Sequence, residues 1–173
     1  MLKGVYRFKF CDAIVQRLQL PSSEIRIPNI VVLEGKEQFL RAVTRNEDMG
    51  LTGGPPPLFY IGLCDQVPNA ADTLTSITTE PTSAGGYARI GIERSSVGWP
   101  TIDEVNGVKR AMSKIVTFAA SGADYSGAFS RAFLCSVSSG TTGFLFSYSG
   151  ALSVPITLLD GESVDVQYEL YFN

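Results

Sequence analysis

The chain contains no histidine, and that one absence removes much chemistry. Without an imidazole there is no Ser-His-Asp or Cys-His relay, no His-containing zinc site, and no side chain whose ordinary pKa lies near neutrality. Charge is also scarce: 18% of the 173 residues are Asp, Glu, Lys or Arg, against roughly 25% in an average soluble domain, and the mean hydropathy is +0.13. A surface so short of charge is expected to be hidden in part by assembly. The net charge of -3 is unevenly spread, with 8 Lys/Arg and 6 Asp/Glu in residues 1–50 and 6 and 11 in residues 51–173. Neither part concentrates the positive charge that binding a phosphate backbone requires, so no nucleic-acid partner is expected.

Long apolar runs are missing too. Nowhere do about 18 apolar residues follow one another, and MLKGVYRFKFCD is broken by Lys and Arg, so neither a membrane span nor a signal-peptide core is expected. Synthesis in a cytoplasm without a membrane partner follows as the expectation. The three cysteines, Cys11, Cys64 and Cys135, are odd in number and far apart, which fits small buried hydrophobes better than a disulfide framework or a metal clip. There is no GxxxxGK[ST] loop, and GGYARIG has the wrong glycine spacing for a dinucleotide fingerprint. No catalytic residue, cofactor or metal ligand is assigned.

What the sequence does have is alternation of period two. In SVDVQYELYF the residues Val164, Val166, Tyr168, Leu170 and Phe172 share one face and Ser163, Asp165, Gln167 and Glu169 the other, the pattern of a half-buried antiparallel strand. Further strands are predicted over 57–64, 87–92, 113–120, 127–137, 142–148 and 154–159, each bounded by Gly, Ser, Pro or Asn. Asn106-Gly107, between TIDEV and VKRAM, and Asp160-Gly161, between VPITLL and ESVDVQYELYF, are expected to supply positive φ for tight hairpin turns. Many short strands with no long helical pattern predict an all-β fold, an antiparallel β-sandwich over residues 55–173.

The first 54 residues read as a separate N-terminal arm. A single short helix is predicted over 36–50, with Phe39, Leu40 and Val43 on one face, followed by a rigid LTGGPPPL linker. Residues 1–10 place Tyr6, Phe8 and Phe10 on one face of a strand. That strand either joins a neighbour's sheet, which makes the three aromatics interface candidates, or forms an edge of its own chain's sheet.

Four other features invite a functional reading. Carboxylate pairs could serve glycoside hydrolysis, with Glu80 or Glu93 as further candidates, but Asp103 and Glu104 are neighbours pointing to opposite faces of a strand, and Asp160 and Glu162 flank a turn where they are expected to be solvated. Trp99, the only tryptophan, reads as a core or subunit-contact residue, with a sugar-stacking role as the alternative. In TTEPTSAGGYARIGI, Gly85-Gly86 provides a bend into a strand. If Ala88, Ile90 and Ile92 face the core, Tyr87 and Arg89 face outward together as an interface pair. The small-residue stretch SSGTTG, 138–143, suits an exposed loop.

Taken in order, PLFYIGLCDQVPNAADTLTSITTEPTSAGGYARIGI, GWP, KIVTFAASGADYSGAFSRAFLCS and GALSVPITLLDGESVDVQYEL resemble a family of small tailed-bacteriophage virion proteins, usually labelled tail fibre or minor structural proteins. The likeness covers about residues 57–173, and the order of its elements is more specific than any one of them. It implies a non-enzymatic structural protein located in a virion tail, collar or fibre, forming a homo-oligomer and docking to other phage virion proteins. Two alternatives remain open: a capsid decoration protein on the head surface, and a receptor module at a fibre tip that binds a host-surface glycan through loops near Trp99, 123–126 and 138–143.

Overall fold

The computed structural model describes residues 2–45 and 58–172. The expected PPP linker, the last five residues of the expected helix and the boundary at residue 54 lie outside the described residues. In chain order the elements are β1 (Leu2–Phe10), α1 (Asp12–Leu18), β2 (Glu24–Val31), α2 (Leu33–Arg45), β3 (Leu58–Cys64), β4 (Ile90–Glu93), β5 (Thr101–Val105), β6 (Val108–Met112), β7 (Val116–Ala119), β8 (Arg131–Cys135), β9 (Leu145–Ser149) and β10 (Ser163–Phe172).

The fold is mostly antiparallel β, as expected, but it has two helices, and the strands are hydrogen-bonded in one continuous order. That order is β4-β3-β8-β9-β2-β1-β10-β6-β5, with β7 also on β10. Where the strand spacing predicted two separate sheets, a single sheet curls over on itself into a half-barrel. The fold-over is made by β2, which pairs with β1 through residues 24–28 and then with β9 through 29–31. Pro28 stands at the handover, where a strand can spare the N–H that proline lacks.

Curling brings the inner faces of the two halves together. Tyr6, Phe8, Phe10, Val164, Val166, Tyr168 and Phe118 from one half meet Phe59, Ile61, Leu63, Ala132, Leu134 and Phe146 from the other in one core. The Tyr6 hydroxyl reaches across it to Ser147 Oγ at 2.8 Å. A second cluster fills the far side of β3, β8 and β9, where Val32, Leu74 and Ile77 cover Tyr60, Phe133, Cys135, Leu145 and Tyr148. Covering on both sides explains why LFYIGLC is apolar throughout, without alternation.

The helix α2 lies on β9 with Gly35 directly over Phe146, where a Cβ would stand 2.3 Å from the Phe146 carbonyl oxygen. Glycine inside a helix costs about 1 kcal/mol relative to alanine, and here it permits that close approach. Of the face expected to be buried, Phe39 is half-buried but Leu40 is 58% exposed, and Gly35 and Gln38 are buried instead.

Of the two expected hairpin turns only the first closes a hairpin, because the stretch before Asp160-Gly161 forms no strand paired with β10. Asn106 and Gly107 both have positive φ, 53° and 77°, and join β5 to β6, while Gly161 at φ 83° follows Asp160 just before β10. The apolar stretch 154–159 forms no strand, only a bridge between Ile156 and Phe129.

The first strand stays in its own chain and at the centre of the sheet. All nine residues of β1 pair with β10, and its other edge pairs with β2. Tyr6, Phe8 and Phe10 are 0%, 0% and 2% exposed, so they are core residues and not a surface offered to a neighbour. The correction follows from partner length, since β10 gives β1 a nine-residue match within the chain.

Candidate functional site

The expected contact pair, Tyr87 and Arg89, lies inside the molecule, only 8% and 7% exposed, whereas Ala88 is exposed. The inversion has a local cause. The strand alternation that would turn Tyr87 and Arg89 outward starts only at Ile90, where β4 begins, and residues 84–86 form a 3-10 turn whose buried Gly85 packs on the Ala123 carbonyl. Side-chain direction before the strand is therefore set by that turn and not by the pleat.

Arg89 and Tyr87 converge on Glu80. Arg89 Nε donates to Glu80 Oε2 at 3.0 Å and Nη2 donates to Oε1, Nη1 donates to the Val137 carbonyl at 3.2 Å, and the guanidinium lies 5.1 Å over the Phe133 ring. The Tyr87 hydroxyl donates to Glu80 Oε2 at 2.8 Å and accepts the Leu63 N–H at 2.9 Å. Burial, followed by the Glu80 charge, holds the Tyr87 pKa far above its ordinary value. For Arg89, burial is the largest influence and opposes the charge, but hydrogen bonding to Glu80 together with the electrostatic influence of Cys135, Glu80 and Tyr87 offsets it and the pKa is raised. Beside this knot a cavity of about 250 Å³ opens toward Ser138, Ser139 and Gly140, so loop 138–143 meets the 80–89 segment.

Trp99 is half-buried. Its ring meets Phe59 edge-on at 6.0 Å and Tyr168 at 6.2 Å, which places it between β3 and β10. The seven residues 94–100 join β4 to β5, the two ends of the strand order, so Trp99 plugs the seam of the half-barrel. The inner side of Trp99 therefore packs on the core, one half of the core-or-contact expectation, through edge-on contacts with two rings.

The carboxylates considered for hydrolysis are engaged within the chain. Asp103 pairs with Arg110, Glu104 with Lys109 and Glu80 with Arg89. Glu93 accepts from Ser95, and Asp160 accepts the Gly122 N–H. Glu162, expected to be solvated, is 6% exposed and held by Arg17 of α1 through Nε at 2.9 Å and Nη2 at 2.7 Å. Burial alone would raise its pKa, but the Arg17 pair and the Leu159 N–H more than offset this, so the pKa lies below the ordinary 4.5. A depressed folded pKa contributes stability that is present above the unfolded value and lost as pH falls through the folded one. Glu162→Gln is therefore expected to lower the melting temperature at pH 7 and to flatten its fall below about pH 4.5. Parallel melting curves for the two chains across that range would contradict the role given to this pair.

Sequence reasoning missed the most charged locus. On the outer face, Glu169 of β10 is fully buried among Arg7 of β1 at 3.6 Å, Arg26 of β2 at 2.5 Å and Arg110 of β6 at 3.7 Å. The parity of Glu169 was legible; its arginine cover depends on strand order, which is not.

Cys64 and Cys135 are buried free thiols. Burial pushes their pKa values up to about 12 and about 11, the latter against a lowering contribution from Arg89, so both are protonated at neutral pH and unsuited to nucleophilic attack. Among the described residues no group of three or more Cys, Asp or Glu is placed to hold a metal ion, and no helix is long and apolar enough to cross a membrane. Comparison with protein-family models, curated proteins and solved structures finds no match to the chain.

Proposed function

We propose that the chain is a non-enzymatic structural subunit of a tailed-phage virion, in the tail, collar or fibre, working by self-assembly and by docking to neighbouring virion proteins. The observation that carries the assembly part is the state of the sheet's ends. The strands β4 and β5 end the order with one edge unpaired among the described residues, and β5 carries Ile102, 77% exposed, on the same face as Leu170 of the core side. An exposed edge strand with an uncovered apolar side chain is a template for pairing with another chain. The ordered resemblance over residues 57–173 supports the virion setting, and the engagement of each candidate carboxylate within the chain supports a non-enzymatic role.

Ile102→Lys tests the assembly part. The purified chain is expected to sediment as a homo-oligomer, and the variant as a smaller species with an unchanged circular dichroism spectrum. A wild-type chain that sediments as a monomer, or a variant that assembles equally well, would remove this edge from the account. The capsid-decoration alternative uses the same edge and differs in where the partner sits.

A further inference from the structure

Pairing along the outer edge of β10 is interrupted at one place. Glu169 pairs with Met112 of β6 and Val166 with Val116 of β7, so Ser113, Lys114 and Ile115 stand opposite only Gln167 and Tyr168. This is the count of a β-bulge, a feature that recurs beside functional sites because it opens the ladder and re-aims side chains. The bulge is secured from both sides. Ser113 N–H donates to the Tyr168 carbonyl at 2.9 Å, Ser113 Oγ accepts the Tyr168 N–H at 3.0 Å, and Gln167 Nε2 donates to the Ser113 carbonyl at 2.7 Å.

That last bond fixes the orientation of the amide, because only its nitrogen can donate to a carbonyl. Gln167 is 8% exposed, and its Oε1 has no hydrogen-bond partner. Its cross-strand neighbour Arg7 stands beside it, with the buried Nε ion-paired at 3.2 Å to Glu24 and 3.6 Å from Glu169 Oε1; that oxygen and the Nε are both without a hydrogen-bond partner. Both residues line a cavity of about 150 Å³ on the outer face, together with Lys9, Glu24, Asp165 and Ile115. Buried polar groups in native proteins are nearly always paired, so the orphan Gln167 acceptor beside the ion-paired Arg7 marks this notch as incomplete.

The chemistry of the wall selects what completes it. Two cationic side chains, Arg7 and Lys9, face two carboxylates, Glu24 and Asp165, so the notch has no net charge to offer an ion. Donors and acceptors stand around it together, and Ile115, 56% exposed, supplies an apolar side. A hydroxyl group both donates and accepts, and a sugar ring carries several beside a C–H face. We infer that this notch between β1, β10 and the 113–115 bulge binds a single neutral sugar ring, with Arg7 and Gln167 as the residues that meet its hydroxyls. The site is apart from the strand edges invoked for assembly, and neither reading depends on the other.

The test is a titration of the isotopically labelled full chain with neutral hexoses, followed by NMR. At ~10 mM sugar even a Kd of about 1 mM gives nearly full occupancy. Shifts are expected at the Gln167 side-chain amide, the Arg7 Nε–H and the backbone of 113–115. They should be lost in Ile115→Trp, which fills the notch from an exposed position and leaves the Ser113 and Gln167 bonds in place, and should be weaker with a uronic acid. No shift with any neutral hexose would show that water alone completes the notch and would overturn the inference. Shifts that persist in Ile115→Trp, or a uronic acid bound as well as its neutral parent, would overturn it too.

Discussion

Removal of residues 164–173 is expected to leave no soluble folded chain. This segment is nearly all of β10, which pairs with nine residues of β1 and with both β6 and β7. Its inward side chains Val164, Val166 and Tyr168 are 0%, 0% and 3% exposed. At about 1.5–3 kcal/mol for each fully buried side chain, these three alone contribute roughly 6 kcal/mol, within the range of about 5–15 kcal/mol that separates a whole domain from its unfolded state. Their loss would also uncover Tyr6, Phe8 and Phe10. The check is the soluble yield and far-ultraviolet circular dichroism of the truncated chain, with Val166→Asp as a graded variant expected to lower the urea midpoint sharply. A soluble truncated chain with an unchanged spectrum would contradict the central position of β10.

Arg89→Glu is expected to have an effect of similar size. The side chain is 3% exposed and its partner Glu80 is 22% exposed, so the substitution replaces a bidentate ion pair by two carboxylates in a largely dry site. Breaking a buried pair costs about 3–5 kcal/mol because the remaining charge is left uncompensated, and mutual repulsion adds to that. Arg89→Met should cost less, since Glu80 can still reach water. Glu80→Ala should cost more than Arg89→Met, because it strands the deeper charge. Urea midpoints of the three variants check this order. An Arg89→Glu chain with wild-type stability and impaired assembly would restore the outward-facing reading of Arg89.

Much of the strand pattern is legible in the sequence because alternation and turn residues act locally. The ten-residue alternation of β10 and the Asn106-Gly107 hairpin need no knowledge of the rest of the chain. By contrast, β2 is hidden by Pro28 and Asn29, which argue against a strand until the change of partner at that point is known. The helix α1 spans seven residues, Asp12–Leu18, too few for a periodic signal. Continuity of the sheet depends on which strands meet, so curling into a half-barrel leaves no local mark.

The candidate site residues were less legible than the fold. Alternation groups Tyr6, Phe8 and Phe10 of β1 and Val164, Val166 and Tyr168 of β10 on inward faces, but their destination, core or neighbour, rests on pairing between residues more than 150 apart in sequence. Tyr87 and Arg89 were inverted because a 3-10 turn, and not the strand, sets their direction. The burial of Gln167 and Glu169 was unreadable for a third reason. Both lie on the polar face, as the alternation says, and they are buried by long side chains from adjoining strands.

The most direct test of the proposed function is to label intact phage particles carrying this chain with gold-tagged antibody against it and to image them. The account predicts label on the tail, collar or fibres. Label spread over the head would transfer the chain to the capsid-decoration alternative, and particles without label would contradict the virion reading itself.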